Sequence, residues 1–358
     1  MRRRPLACVL SFALSCAAFA DLHAQTPVTL TAEALFYGDN TEFQNPFREG
    51  ETLLGAAVRA GVEFELAPRV TFRLGAFGNQ RFGSEDAFEQ VRPVIALEVR
   101  GRRSAFIFGT LPAPRVGDPP GPDRTGPHGL LPPLQRETLA FERPYEAGLM
   151  WTSGGAAFRH EAWVHWQRLN TAGHRERLDA GAAGSVRLDA AWSIPFQYHV
   201  VHEGGQLFAS GPVADSHAAA LGLALTGKPG GFDAVSLEMY VAGSRFVPDR
   251  EQPERSRSGA GFFSRASLER AQWRGHLIVW RGDDYVKDEG DPNYLAVRRD
   301  GSRYRGVRDY AEAGVTRTFR PAAGVRLEAS ARIHRVEDHY EYSYRIVGVA
   351  TARVRLRP

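Results

Sequence analysis

Residues 340–356 alternate without a break between two chemically different faces. One face carries Tyr340, Tyr342, Tyr344, Ile346, Gly348, Ala350, Ala352, Val354 and Leu356; the other carries Glu341, Ser343, Arg345, Val347, Val349, Thr351, Arg353, Arg355 and Arg357. Successive side chains of a strand point to opposite sides, so a two-residue period of this length specifies an extended strand, apolar on one side and largely polar on the other. The pattern recurs upstream. Val325, Leu327, Ala329, Ala331 and Ile333 alternate with Arg326, Glu328, Ser330, Arg332 and His334. Leu54, Ala56, Val58, Ala60, Val62, Phe64 and Leu66 are set against Arg59, Glu63 and Glu65, and Val70, Phe72, Leu74 and Ala76 against Thr71, Arg73 and Gly75. Soluble strands are usually nearer five or six residues, and no 40–50-residue repeat suggests propeller blades, which sets a secreted sandwich or propeller second to a membrane barrel.

The first residues fit the same compartment. Arg2, Arg3 and Arg4 precede an apolar run from Leu6 to Phe19, the layout of a secretory signal peptide. Small residues allow cleavage after Ala20 or Ala24, giving a signal segment 1–24 and a single barrel domain 25–358; a lipoprotein reading through Cys16 is weakened by Ala13 at the lipobox position. Both cysteines, Cys8 and Cys16, fall in the signal segment, so the remainder can form neither a disulfide framework nor a Cys-based metal site. The formal net charge of +4 includes Arg2, Arg3, Arg4 and Asp21, and without them it is about +2. No nucleic-acid partner is indicated. Beyond the signal no apolar stretch approaches the ~20 residues a membrane helix requires, so membrane residence means a barrel.

Candidate strands fall near 27–38, 53–66, 70–79, 91–100, 103–111, 145–152, 156–168, 177–189, 191–202, 214–226, 232–243, 259–268, 271–281, 307–319, 323–335 and 340–356. The fold expected is therefore an all-β transmembrane antiparallel barrel of about 16 strands, within a range of about 14–18. Short connections such as Ala67-Pro68-Arg69 and Gly101-Arg102 alternate with long ones such as 112–144 and 282–306. Such alternation fits short periplasmic turns and long extracellular loops, with both termini on the periplasmic side.

The polar faces would line the interior. Arg59, Glu63, Arg73, Arg326, Glu328, Arg332, Arg345, Arg353 and Arg355 are candidate pore-lining residues, and rings of Arg favour anionic solutes. Paired Arg–Glu networks that only stiffen the wall are the alternative. The Pro/Gly-rich connection 112–144 carries candidate constriction residues Arg115, Asp118, Arg124, His128 and Arg136, whether it folds into the lumen or forms an extracellular flap. Connection 282–306, dense in Asp283, Asp284, Asp288, Glu289 and Asp291, reads as a solvated surface loop with some capacity for a divalent cation.

No Gly-x-Ser-x-Gly motif and no helical His pair of a zinc protease is present, and no cofactor or resident metal is indicated. His160, His165, His199, His202, His276 and His334, on or near strand ends, read as lumen or interface polar residues, and His128 is the best lone catalytic candidate. The expectation is that the chain is not an enzyme.

The signal segment, about sixteen alternating strands, long third outer loop and mature length of about 334 residues resemble the trimeric outer-membrane porins, including anion-selective members. The resemblance is architectural. It implies passive diffusion of small hydrophilic, anionic solutes, a homotrimer, contact with outer-membrane lipid and lipopolysaccharide, and handling by the barrel-assembly machinery. One departure is the ending Arg355-Leu356-Arg357-Pro358 in place of a terminal aromatic residue. Two alternatives stand beside the porin: a rim hydrolase for lipid or peptide, which needs a close His–Ser or His–Asp pair, and an export channel for an anionic polysaccharide.

Overall fold

The computed structural model describes residues 27–356 apart from 115, 117–125, 206 and 209, so the expected signal segment lies outside the described residues. Sixteen antiparallel strands close into a barrel. They are β1 Val28–Glu42, β2 Glu51–Ala67, β3 Val70–Arg81, β4 Gln90–Arg100, β5 Ser104–Thr110, β6 Ala147–Gly154, β7 Phe158–Arg168, β8 Glu176–Arg187, β9 Trp192–Gly204, β10 Ala214–Gly227, β11 Ala234–Val247, β12 Arg257–Arg270, β13 Trp273–Asp283, β14 Val307–Ala322, β15 Val325–Val336 and β16 His339–Leu356. Among the described residues one short α-helix, α1 Leu139–Glu142, lies between β5 and β6. Every strand pairs with its chain neighbours, and β1 zips to β16 from Val28↔Leu356 to Glu42↔Tyr342.

All sixteen expected strands are found. The largest differences at strand ends are in β1 and β11, which run to Glu42 and Val247. In β1 the ladder continues through the polar residues Asp39, Asn40 and Thr41, paired to β16 and β2, and in β11 through Ser244 to Val247, paired to β10. Alternation places Tyr340, Tyr342, Tyr344 and Ile346 on the outside, 73%, 57%, 50% and 63% exposed, with Leu327, Ile333, Leu54 and Val58 on the same surface. An outward apolar band with aromatic residues near its edge is what hydrocarbon selects, and closure leaves no strand edge unpaired in it. The protein is a barrel of the outer membrane.

The interior is not uniformly polar. Trp163, Tyr240, Phe263, Trp280 and Tyr310 point inward and are buried together with Leu130, Leu131 and Leu134 from the 111–146 connection and Tyr285, Tyr294 and Leu295 from the 284–306 connection. Each large side chain removed from water in this way contributes on the order of 2 kcal/mol. Two inward glycines give the indoles room: a Cβ at Gly261 would lie 2.1 Å from the Trp280 ring, and one at Gly181 would lie 2.4 Å from that of Trp163.

The expectation of a solvated 282–306 loop is corrected here. Its charges are interleaved with Tyr285, Val286, Tyr294, Leu295 and Ala296, all of which are buried. Arg308, fully buried, holds the loop from the wall by donating to the carbonyls of Leu295 (3.0 Å) and Asn293 (2.8 Å). The two long connections also clasp each other, through Arg136 N to Glu289 O (2.7 Å) and Asp291 N to Pro132 O (2.9 Å).

The wall is uneven at the extracellular rim. The β4–β5 ladder begins only at Ala96↔Gly109 and the β6–β7 ladder at Gly148↔His165, so Gln90–Ile95 and Trp166–Arg168 rise above the short β5–β6 pair. A groove of about 1000 Å³ occupies this dip, lined by Arg92 and Pro93 on one side, His165 and Gln167 on the other, and Arg143 and Tyr145.

Candidate active site

β15 and β16 are joined by the tight turn Glu337-Asp338, with Val336 paired to His339. That register places His334 opposite Glu341 and Arg332 opposite Ser343, while on the other side β14 sets Glu312 opposite His334. Inward parity then collects Tyr310, Glu312, His334 and Ser343 near the extracellular end of the lumen, and all four are buried.

They form a continuous hydrogen-bond chain. Ser343 Oγ lies 2.8 Å from His334 Nε2, and His334 Nδ1 lies 2.8 Å from the Tyr310 hydroxyl, which donates to Glu312 Oε2 at 2.7 Å. Glu312 Oε2 is itself 3.5 Å from His334 Nδ1. A phenol has one proton, and if Glu312 receives it, the Tyr310 oxygen must accept from His334 Nδ1–H. This leaves Nε2 bare to accept the Ser343 proton. The tautomer assigned from the donors is the one a general base toward a serine hydroxyl requires. Glu312 Oε1 is bonded to His276 Nε2 at 2.8 Å, which fixes the carboxylate.

Two guanidiniums close the other side. Arg332 Nη1 and Arg345 Nη1 each donate to Glu137 Oε2 at 2.9 Å, and Arg345 Nε donates to Asp39 Oδ1 at 2.8 Å. Burial alone would raise the Glu137 pKa, but Arg332 and Arg345 outweigh it and hold the carboxyl at about 2. Glu137 thus ties the 111–146 connection to β15 and β16. Between these groups is a chamber of about 30 Å³, room for water and not for a lipid chain. Its cover is the segment between β1 and β2. Phe43 sets its ring edge-on to His334 at 4.9 Å; Gln44 N and Asn45 Nδ2 each donate to the Glu341 carboxylate at 2.6 Å; Arg48 pairs with Asp291 at 2.6 Å.

The residues expected to line a pore separate into groups. Arg59, Glu63, Arg73 and Arg353 share a second cavity, of about 460 Å³. Arg73 pairs with Glu63 at 3.0 Å and also with Glu98, Arg353 pairs with Glu63, and Arg59 donates to Leu111 O at 2.7 Å. Arg326 pairs with Glu328 at 3.1 Å and donates to Val116 O. Arg332 and Arg345 belong to the serine chamber, whereas Arg355 is exposed near the far end of β16. Of the constriction residues, Arg115, Asp118 and Arg124 lie outside the described residues. Arg136 pairs with Glu142 at 2.5 Å. His128 is buried between Glu146 (3.0 Å) and Glu161 (3.1 Å), stacked on Trp163 at 3.6 Å. Burial pulls the His128 pKa down, but the two carboxylates outweigh it and lift the ring to about 9.

Ser343, Tyr310 and Glu312 were not singled out from the sequence. The signal was present: a two-residue turn after Val336 fixes the register, and parity puts His334 and Ser343 on the same face one diagonal apart.

The fold and this array define a class: an outer-membrane barrel of porin-type architecture that carries a hydrogen-bonded Ser–His pair inside its extracellular end. The chain belongs to the lipid A 3′-O-deacylase-type family, whose model matches residues 20–356. No curated protein sequence matches it. Among solved structures it is similar to a loop L8 deletion mutant of OmpT, an outer membrane protein of Vibrio cholerae, with a TM-score of 0.56 at 7% identity, covering 91% of this chain and 99% of that one. It is also similar to an anion-selective porin from Comamonas acidovorans, with a TM-score of 0.54 at 9% identity, covering 92% and 100%. At such identities the likeness is one of fold. The expectation of a chain without enzymatic character is corrected by the family, which is named for an enzyme. No short sequence motif holds the Ser–His pair, because His334 and Ser343 sit on adjacent strands, β15 and β16.

Proposed function

We propose that the protein is an ester hydrolase of the outer leaflet that removes an ester-linked acyl chain from a lipid A-type glycolipid, with Ser343 as nucleophile and His334 as base. The observation that carries this reading is the Ser343–His334–Tyr310–Glu312 chain, with 2.8, 2.8 and 2.7 Å links. The family supplies the substrate class.

In this reading His334 Nε2 takes the Ser343 proton as Oγ attacks the ester carbonyl. The oxyanion collapses to an acyl-serine, and the sugar hydroxyl leaves with the proton from His334. Water then enters, gives its proton to the same nitrogen, and releases the fatty acid as Ser343 is reprotonated. The imidazolium formed at each step is stabilised by Glu312 through Tyr310. Arg332 and Arg345, which line the chamber and are held by Glu137 and Asp39, are the guanidinium donors nearest to where the oxyanion forms. Substrate reaches Ser343 when the Phe43–Arg48 cover lifts from Glu341 and Asp291. The packed aromatic and leucine cluster of the lumen weighs against free diffusion as the main activity.

The test is mass spectrometry of lipid A from Gram-negative cells expressing the wild type or Ser343→Ala at equal levels of folded barrel. Loss of one acyl chain with the wild type and none with the variant supports the reading. Unchanged lipid A with the wild type, or full activity in the variant, overturns it.

A further inference from the structure

A second cluster of ionisable groups, on β7–β9 and the two long connections, plays no part in this chemistry. His165 on β7 and Asp179 on β8 are register partners, and His199 on β9 follows on the same inward surface. Glu146 arrives from the end of the 111–146 connection and Glu289 from the 284–306 connection, and all five side chains are buried.

The spacings differ from those of hydrogen bonds. His165 Nδ1 lies 3.4 Å from Glu146 Oε1 and 3.3 Å from Asp179 Oδ2. His199 Nε2 lies 3.9 Å from the other Asp179 oxygen and 4.0 Å from Glu289 Oε2. His165 Nδ1, His199 Nε2 and Glu289 Oε2 are buried without a hydrogen-bond partner. An orphaned buried polar atom is costly, and His165 Nδ1, set between the Glu146 and Asp179 carboxylates with His199 Nε2 and Glu289 Oε2 close by, calls for a ligand. For a tetrahedral ion with bonds of ~2.0–2.1 Å, ligand atoms stand roughly 3.3–3.4 Å apart. That is the His165–Glu146 and His165–Asp179 spacing.

We propose that Glu146, His165 and Asp179 hold one divalent transition-metal ion, with zinc the best match to a site of one imidazole and two carboxylates, and with His199 and Glu289 as neighbouring donors on the second Asp179 oxygen. The surroundings are those of a ligand set. Trp163 Nε1 donates to Asp179 Oδ1 at 3.0 Å and Gln167 Nε2 to Asp179 Oδ2 at 2.6 Å, orienting the carboxylate while leaving lone pairs on both oxygens. His165 and Gln167 also line the 1000 Å³ rim groove, which gives the ion an access path from outside. An ion here would fasten the 111–146 connection to β7 and β8 through Glu146.

The experiment is zinc titration of the full-length barrel, refolded in detergent after chelator treatment, by calorimetry and by metal analysis after desalting. The expected result is one equivalent of zinc for the wild type, with affinity falling at least 10-fold in His165→Gln and Asp179→Asn and unchanged in His174→Ala, a histidine exposed at the rim. Heat-modifiable migration on gels establishes that each variant is folded. A wild type that retains no zinc, or His165→Gln and Asp179→Asn barrels that are folded and bind like the wild type, overturns the proposal. Ser343→Ala is expected to bind zinc normally, so failure here and failure of the hydrolase reading are separate results.

Discussion

The β14–β16 sector and the β7–β9 sector of the lumen use the same residue types to opposite ends. In the first, Ser343, His334, Tyr310 and Glu312 stand at hydrogen-bond distances and satisfy one another. In the second, Glu146, His165, Asp179, His199 and Glu289 converge at 3.3–4.0 Å with three atoms left unpartnered. On the two readings proposed above, about half an ångström, from 2.8 to 3.3 Å, separates a proton relay from a ligand set. What decides the role of a histidine in a barrel wall is the row on which its neighbours' carboxylates fall, and register sets that row.

The comparison can be broken most directly at Ser343. Ser343→Ala or His334→Gln should reduce deacylation by about 10³-fold or more, read by mass spectrometry of lipid A, while leaving zinc content unchanged. Asp179→Asn should do the reverse, and equal loss of both readouts in both variants would merge the two sectors into one site. Next in size is Glu137→Gln. It leaves Arg332 and Arg345 facing each other with one countercharge fewer, and removing one partner of a buried ion network costs about 3–5 kcal/mol. The urea midpoint of the barrel in detergent should fall accordingly, and an unchanged midpoint would remove Glu137 as the tie between loop and wall.

A pH series sharpens the second sector. The His128 pKa is raised from its ordinary 6.5 to about 9 by Glu146 and Glu161 against the opposing pull of burial. The stabilisation it contributes is therefore fully present below pH 6.5 and is lost as pH rises through about 9. At most it amounts to roughly 3 kcal/mol. Proteolysis within 126–146 should accelerate across that interval, and His128→Gln should abolish the pH dependence. The smallest effect belongs to Tyr310→Phe. It removes the hydroxyl between His334 and Glu312 but leaves both side chains in place, and turnover should fall about 10-fold with KM unchanged. A drop as large as that of Ser343→Ala would make the phenol more than a bridge.

The wall was legible because hydrocarbon outside and polar filling inside impose a two-residue period that survives without any tertiary knowledge. Tyr340 to Leu356 shows it plainly. The filling was not legible, because it depends on contacts between segments far apart in sequence. Nothing local to Asp284–Arg299 reveals that Tyr285 and Tyr294 will be buried against Trp280. The serine array lay between these cases. Its strands and parities could be read directly, but Glu312 and Ser343 meet through His334 only once two registers are fixed. The expected arginine-lined lumen illustrates the same limit. Alternation placed Arg59, Arg73 and Arg353 on the inner face, and only the structure pairs two of them with Glu63.

The pairing of β1 with β16 makes the wall a ring and not a ribbon. A ribbon frays from its ends, each terminal strand having one neighbour to lose. This ring has no terminal strand, so detaching any one of the sixteen exposes two rows of backbone N–H and C=O groups, and in hydrocarbon each unsatisfied group costs several kcal/mol. Within the bilayer the wall therefore holds as a unit or opens as a unit. On the proposed hydrolase reading, the smaller movements that would admit a substrate fall to the covering segments above it.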